Sequence, residues 1–597
     1  MNKSSVLKII AFVLMLMLGV AILPAAAQDS SAPFAEYFPA DSALYAYIRT
    51  DDAYIDQLDG LLARVSAALP AEANIPAGLT LRSGLDMIAA QLGGDFDSVF
   101  RSWLGDGIAV GVSPAMMGAN SGDGEGLIAV SITDRSALLS LIGEIMARGG
   151  GSLTPTEING YTVFDLDNSS SIAVGDNVAF VAPRRDLLPL ESLPENSLAG
   201  NAAFNESLDQ LPAESYNILL YADLSTIQAS QLANGEIAVS EIVPGIGATA
   251  VGATILDSTT LTIDVAQSVD TSVIMEGLNI PAVGAVDPAF LAHVPADATL
   301  VIQGTNLKAL YDAFIASVPT LTAQDFDPTT EEEIQLGLAQ VDTLFQSFVG
   351  VTLQDGVLSW LTGDYALFLT YQVPEPGTPT LFTSSLFPDQ PVTTLGFEAG
   401  LVIKATDPAK AQALVDGIGN ALTQFGANAG VTVAREEIAG TNAVVITTPA
   451  VAPAPAVELV LAANDSVFVF GTRQAATAAL QGDGGLSSAA RYVASTDSIL
   501  LPGATTVWYA DANTINLFGD ALAASGPSIN GIFNNIVGGM DAQATPIPFD
   551  FAAAQAQAAQ AQQMFRQLAG AFSGATISTG TSANGSVLIR MTLTLAE

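Results

Sequence analysis

Phe34-Ala35-Glu36-Tyr37-Phe38-Pro39-Ala40-Asp41-Ser42-Ala43-Leu44 and Phe290-Leu291-Ala292-His293-Val294-Pro295-Ala296-Asp297-Ala298-Thr299-Leu300 carry one pattern, F-x4-P-A-D-x2-L, twice in the chain. Working outward from these two stretches, further pairs fall in the same order. Ser102-Trp103-Leu104-Gly105-Asp106 is matched by Ser359-Trp360-Leu361-Thr362-Gly363-Asp364 with one residue inserted. Thr133-Asp134 is matched by Thr406-Asp407, and Glu157-Ile158-Asn159-Gly160 by Glu437-Ile438-Ala439-Gly440. Last comes Tyr221-Ala222-Asp223-x2-Thr226-Ile227 against Tyr509-Ala510-Asp511-x2-Thr514-Ile515. Matches that keep their order while their spacing grows are the signature of an internal duplication with insertions. They predict a first copy over 34–268, a joint over 269–286, and a second copy over 287–597 with inserted loops at Pro374–Pro391 and Pro449–Pro455.

Within each copy the hydrophobic period switches between two and 3.6. In the first, strands are expected at Leu44–Arg49, Ile108–Val112, Leu127–Ile132, Tyr161–Leu166, Ile172–Val181, Ile218–Tyr221, Ala248–Leu256 and Leu261–Val265. Helices are expected at Ile55–Ala68, Leu85–Leu92, Arg135–Arg148 and Ser225–Leu232. Strands that follow one another through short turns pair antiparallel, so the fold class is α+β: each copy a mostly antiparallel sheet packed with helices. The second copy adds the Ala/Gln-rich stretch 549–568, whose composition favours helix.

At 597 residues the chain exceeds one ordinary core, and two units of a few hundred residues satisfy the length. The first residues carry Lys3 and Lys8, an apolar run from Ile9 to Leu23, and Ala25-Ala26-Ala27. That is the layout of a signal peptide over 1–27, so the protein is expected to be exported, extracellular or in the cell envelope. An uncleaved N-terminal membrane anchor is the alternative. The chain has no cysteine, which removes disulfides, zinc–thiolate sites and thiol nucleophiles. A net charge of −42 argues against nucleic acid, whose binding needs lysine and arginine against phosphate, and against anionic lipid surfaces.

The Pro39-Ala40-Asp41-Ser42-Ala43-Leu44-Tyr45 segment resembles the opening of the exported bacterial domain-of-unknown-function family three-three-five-two (DUF3352), whose strands begin with an "lPAD(s/t)xLY" motif. Pro295-Ala296-Asp297-Ala298-Thr299-Leu300 is similar, with Val301 where tyrosine is usual. The similar layout covers nearly the whole chain after the leader. It implies an exported compartment and a fold, and it carries no activity.

The repeated polar residues read as structure. Asp134 and Asp407 precede helices, Pro408 fits a first helical position, and Asp223 and Asp511 stand between a strand and a helix, so all four are expected N-caps. Asp41 and Asp297 follow Pro39-Ala40 and Pro295-Ala296 in turns. Asp176-Asn177 and Asn464-Asp465 are expected hairpin turns. Trp103 and Trp360 are expected core anchors, with a carbohydrate platform as the functional alternative. Arg184 and Arg473, matched after a strand, suit end-of-strand ion pairs or an anion clamp. His293 is the only histidine and stands where the first copy has Tyr37, which leaves no multi-histidine metal site. Asp325-Phe326-Asp327-Pro328 lacks the glycine and terminal glutamate of a calcium loop.

No catalytic, cofactor or metal signature emerges. The expected function is therefore a non-catalytic exported interaction or binding module, working between its copies or on their sheet faces, with an envelope protein or an apolar ligand as partner. A carrier for an apolar ligand such as a lipid is the second reading. A carboxylate hydrolase using Asp106 or Asp364 beside the tryptophans is the third.

Overall fold

The computed structural model describes residues 32–596 apart from 69–79, 115–125, 149–153, 167–169, 214, 235–236, 238–244, 270–282, 326–330, 374–379, 381–394, 427–429, 451–454, 497–498, 515, 518–569 and 583–584. The expected signal segment, the Ala/Gln-rich stretch, most of the joint and most of the proline-rich inserts lie outside the described residues. The chain divides into two compact units. One comprises Met1–Ala67, Ala71–Glu276 and Gly580–Leu593; the other comprises Ala68–Pro70, Gly277–Thr579 and Thr594–Glu597. The C-terminal strand is thus grouped with the first unit, although by sequence it closes the second stretch.

In the first unit the strands are β1 (Leu44–Arg49), β2 (Leu104–Val112), β3 (Gly126–Ile132), β4 (Thr156–Ile158), β5 (Tyr161–Leu166), β6 (Ser170–Val174), β7 (Val178–Ala182), β8 (Ile218–Asp223), β9 (Ile246–Ile255) and β10 (Thr260–Val269). They pair antiparallel in the order β4–β5–β6–β7–β3–β2–β1–β8–β9–β10. The run expected at Ile172–Val181 is the β6–β7 hairpin, turned at Asp176-Asn177 by the Gly175 N–H donating to Val178 O at 2.9 Å. The helices are α1 (Asp52–Ala68), α2 (Leu81–Leu92), α3 (Arg135–Arg148), α4 (Ala202–Asp209) and α5 (Leu224–Ala233).

The second unit has α6 (Leu307–Asp325), α7 (Glu331–Val349), α8 (Pro408–Phe425), α9 (Arg473–Gln481) and α10 (Ala490–Thr496). Its strands are β11 (Leu300–Thr305), β12 (Asp364–Tyr371), β13 (Phe397–Lys404), β14 (Thr432–Ile438), β15 (Thr441–Thr447), β16 (Glu458–Ala463), β17 (Val467–Thr472), β18 (Thr506–Asp511) and β19 (Phe572–Thr581). Their order is β14–β15–β16–β17–β13–β12–β11–β18–β19, again antiparallel throughout. The last strand, β20 (Val587–Leu595), pairs with β10. The α+β class with a large antiparallel sheet is therefore established.

Because side chains alternate across a strand, each sheet has two faces. One face of the first unit holds a large core of Phe38, Tyr45, Ala109, Phe180, Phe204 and Tyr221 with their neighbours. Phe204 on α4 meets Tyr221 edge-on, centroids 4.9 Å apart. In the second unit Tyr492 on α10 meets Tyr509 in the same way at 5.0 Å. The opposite faces carry smaller cores, under α3 around Ile142, Phe164 and Ile172, and under α8 around Trp360, Val415 and Phe468.

Candidate interaction surface

Asp134 accepts from the Ser136 and Ala137 N–H groups at 2.8 and 3.1 Å, and Asp407 accepts from Lys410 N–H at 3.2 Å with Pro408 in the first turn. Both cap helices, α3 and α8. The Ser136 hydroxyl, donating at 2.6 Å, does most to lower the pKa of Asp134 below the ordinary aspartate value. Asp223 accepts from the Thr226 N–H at 3.0 Å and opens α5. Asp511 accepts from the Asn513 and Thr514 N–H groups at 2.9 and 3.3 Å. Pro39 and Pro295 start turns in which their carbonyls accept from Ser42 and Ala298 at 3.1 and 3.0 Å, leaving Asp41 and Asp297 exposed.

The two tryptophans each follow a single π-turn, Asp97–Arg101 and Leu353–Val357. Each indole N–H donates to a carbonyl four residues back: Trp103 to Val99 O at 2.8 Å and Trp360 to Gly356 O at 3.0 Å. Trp360 is buried and packs on Phe468, whereas Trp103 is half-buried beside Phe100. His293 sets Nδ1 3.0 Å from Ala479 O and packs on Phe290. Arg184 pairs with Asp186 at 3.2 Å, and Arg473 with Glu458 and Glu436 at 2.5 and 2.9 Å.

Asp106 and Asp364 do not occupy the same place. Arg49 of β1 faces Gly107, and Thr305 of β11 faces Asp364, so in register Asp364 answers Gly107 and not Asp106. Gly107 and Asp364 each stand four residues after their tryptophan, so the strand carries no inserted residue: Thr362 answers Gly105, Gly363 answers Asp106, and the two carboxylates lie on opposite faces. Asp364 is buried, accepts from the Asp287 N–H at 3.0 Å and lies 3.9 Å from Lys404 Nζ, while Asp106 is exposed. The matched acid pair of the sequence is thereby corrected. A cavity lined by Ile48, Tyr54, Leu58, Leu85 and Phe96 beneath α1 and α2 measures about 20 Å³, room for one water. Among the described residues no three His, Asp or Glu side chains converge on a metal position, and no single helix is long and apolar enough to cross a membrane.

What the sequence reading missed lies on the sheet of the second unit. Cross-strand register aligns Ile577 with Trp508, Trp508 with Ile302, Ile302 with Leu367, Leu367 with Leu401, and Leu401 with Phe470. Six apolar side chains on six neighbouring strands therefore form one row on one face. Leu367 is 50% exposed, Trp508 46%, and Phe470 and Ile577 39% each. Beyond Phe470 the row continues to Leu461, which is buried within the α8 core. Scattered exposed hydrophobics are ordinary on a protein surface; a contiguous strip is not.

The first unit has the corresponding row, Val265, Val251, Leu220, Ala46, Val110, Ile128 and Val181. It is built of smaller side chains, of which Leu220 is 41% exposed and the others are half-buried. The row of the second unit carries the larger and more exposed side chains, Trp508, Leu367 and Phe470.

No curated protein and no solved structure matches the chain. The family described as a protein of unknown function (DUF3352) matches residues 4–575, and the chain belongs to that family.

Proposed function

We propose that this chain is an exported, non-catalytic interaction module made of two tandem copies of one α+β fold, and that it holds a partner protein on the apolar row of its second unit. The observation that carries this reading is the unbroken row from Ile577 to Phe470. It spans five inter-strand spacings of ~4.8 Å, roughly 24 Å, which is the length of a helix of about 16 residues. Beside it on the same face runs a half-buried apolar row of Ala399, Leu369, Leu300, Ala510 and Ala575, and so long and narrow a strip suits an elongated apolar segment. The charge of −42 adds the second half of the specification, because basic residues flanking that segment would be attracted to the chain. The occupant is therefore a protein segment with an apolar face and basic flanks.

The two-copy reading is supported by matched backbone hydrogen bonds. Leu198 N–H donates to Phe38 O and Leu486 N–H to Val294 O, both at 2.8 Å. Asp223 N–H donates to Ala43 O at 2.9 Å, and Asp511 N–H to Thr299 O at 2.8 Å. Strand order is the same in both units, and the π-turn before each tryptophan is a rare feature to find twice.

A photoreactive side chain at position 367, in protein expressed in its own envelope, tests the proposal against the same group at position 106. The expected result is an adduct with one defined protein at 367 only, followed by a change in Trp508 emission when that protein is purified and added back. Adducts made of lipid, or none specific to 367, overturn it.

A further inference from the structure

Strand β10 carries Asp264, fully buried at 0% exposure, and its neighbour β20 carries Arg590, with its side chain 12% exposed. Arg590 donates from Nε to Oδ1 at 2.6 Å and from Nη2 to Oδ2 at 2.8 Å. Tyr216 donates its hydroxyl to Oδ2 at 2.7 Å and accepts from Ala213 N–H at 2.8 Å. This is a bidentate pair with the third hydrogen bond that a buried carboxylate needs.

The two strands also occupy matched places in the chain. Each follows a hairpin turn closed by the same bond, Leu256 N–H to Thr260 O and Ser582 N–H to Ser586 O, both 2.9 Å. Asp264 stands four residues beyond Thr260, and Arg590 four residues beyond Ser586. One position is thus acidic in one strand and basic in the other. An edge strand otherwise pairs with any strand of suitable pattern, its own copy in another molecule included. When two identical strands pair antiparallel about a twofold axis, the residue on the axis faces itself.

We propose that the Asp264–Arg590 pair is a selectivity lock on the β10 edge, admitting the chain's own C-terminal strand and rejecting the β10 of a second copy. Pairing β10 with β10 would bury aspartate against aspartate, and β20 with β20 arginine against arginine. Only the unlike strands bury a neutralised pair. The equivalence of the strands rests on the two-copy reading above; the charge-swap outcomes below stand without it, and they involve neither Leu367 nor Trp508.

Three full-length variants test the lock: D264R, R590D and the double swap D264R/R590D. Hydrogen exchange at 260–269 and 587–593 reports strand closure, and native mass spectrometry reports association. Each single variant is expected to lose protection of both segments at least tenfold, and the double variant to regain it at the wild-type mass. An equimolar mixture of the singles is expected to form a one-to-one heterodimer, because each then supplies the strand the other lacks. If the singles do not fold alone, co-expression yielding that heterodimer, or a folded double variant, supports the lock equally. Wild-type protection in the singles overturns it, as does a double variant that fails to recover, or a mixture that stays unassociated.

Discussion

Asp223 and Asp511 occupy matched capping positions, yet their acidities move in opposite directions. Burial raises the pKa of both, but at Asp223 the Ser225 and Thr226 hydroxyls and the Thr226 N–H outweigh it and the pKa ends below the ordinary value. At Asp511, where the side chain is 4% exposed, burial wins over Arg491 at 3.6 Å and two N–H donors, and the pKa rises from 3.8 to about 6. The Thr514 hydroxyl cannot help, because it donates to Thr299 O instead. Between those two values the folded chain binds more protons at this site than the unfolded chain does, so this contribution to stability is full below about pH 4 and falls as pH rises towards 6. A shift of about two units corresponds to at most about 3 kcal/mol. D511N keeps an acceptor for the cap and removes the titration. Thermal melts from pH 4 to pH 7 should show the wild type losing stability relative to D511N across that window; parallel curves would refute the assignment.

At the scale of elements, close approach decides what a glycine does. Gly417 is buried in α8, and a Cβ there would sit 2.0 Å from the Val349 carbonyl at the end of α7. Gly143 in α3 has nothing within 4 Å of its virtual Cβ. Alanine favours a helix over glycine by about 1 kcal/mol, so G143A should stabilise by up to that amount. G417A must push the helices apart and should cost about 2 kcal/mol despite the same propensity gain. Denaturant midpoints of the two variants should move in opposite directions, and a shared direction would mean that the α7–α8 contact is not tight.

Four helices of the first unit, the caps and the hairpin turns were legible from local signals such as Asp407-Pro408 and Asp176-Asn177, whereas α4, α6, α7, α9 and α10 were not given ranges. Two further things were not legible. That Asp364 answers Gly107 and not Asp106 is set by partners on β1 and β11, distant in sequence. The row on the second sheet was hidden because β12, Asp-Tyr-Ala-Leu-Phe-Leu-Thr-Tyr, is apolar on both faces, a pattern that ordinarily means burial on both. Leu367 and Phe368 look alike in sequence, and only assembly leaves one 50% exposed and the other 2%.

For the whole molecule, charge is the property that the sequence states most directly. Eighteen Lys and Arg stand against sixty Asp and Glu. Most of the described cations are already engaged, as in Arg82 with Asp56, Asp59 and Asp97, or Arg135 with Glu157 and Asp176. Such exposed pairs contribute at most about 1 kcal/mol each, and salt weakens them. The acids left over repel one another, and folding brings them closer together, so salt relieves the folded state more than the expanded one. The Debye length falls from about 30 Å at 0.01 M to about 8 Å at 0.15 M, enough to screen repulsion across the surface while sparing the buried Asp264–Arg590 pair. Melting temperature should therefore rise by a few degrees over that range of sodium chloride at pH 7. A fall would mean that the surface ion pairs outweigh the repulsion, and would remove the charge argument for a basic-flanked partner, since both rest on the excess acid setting the field around the chain.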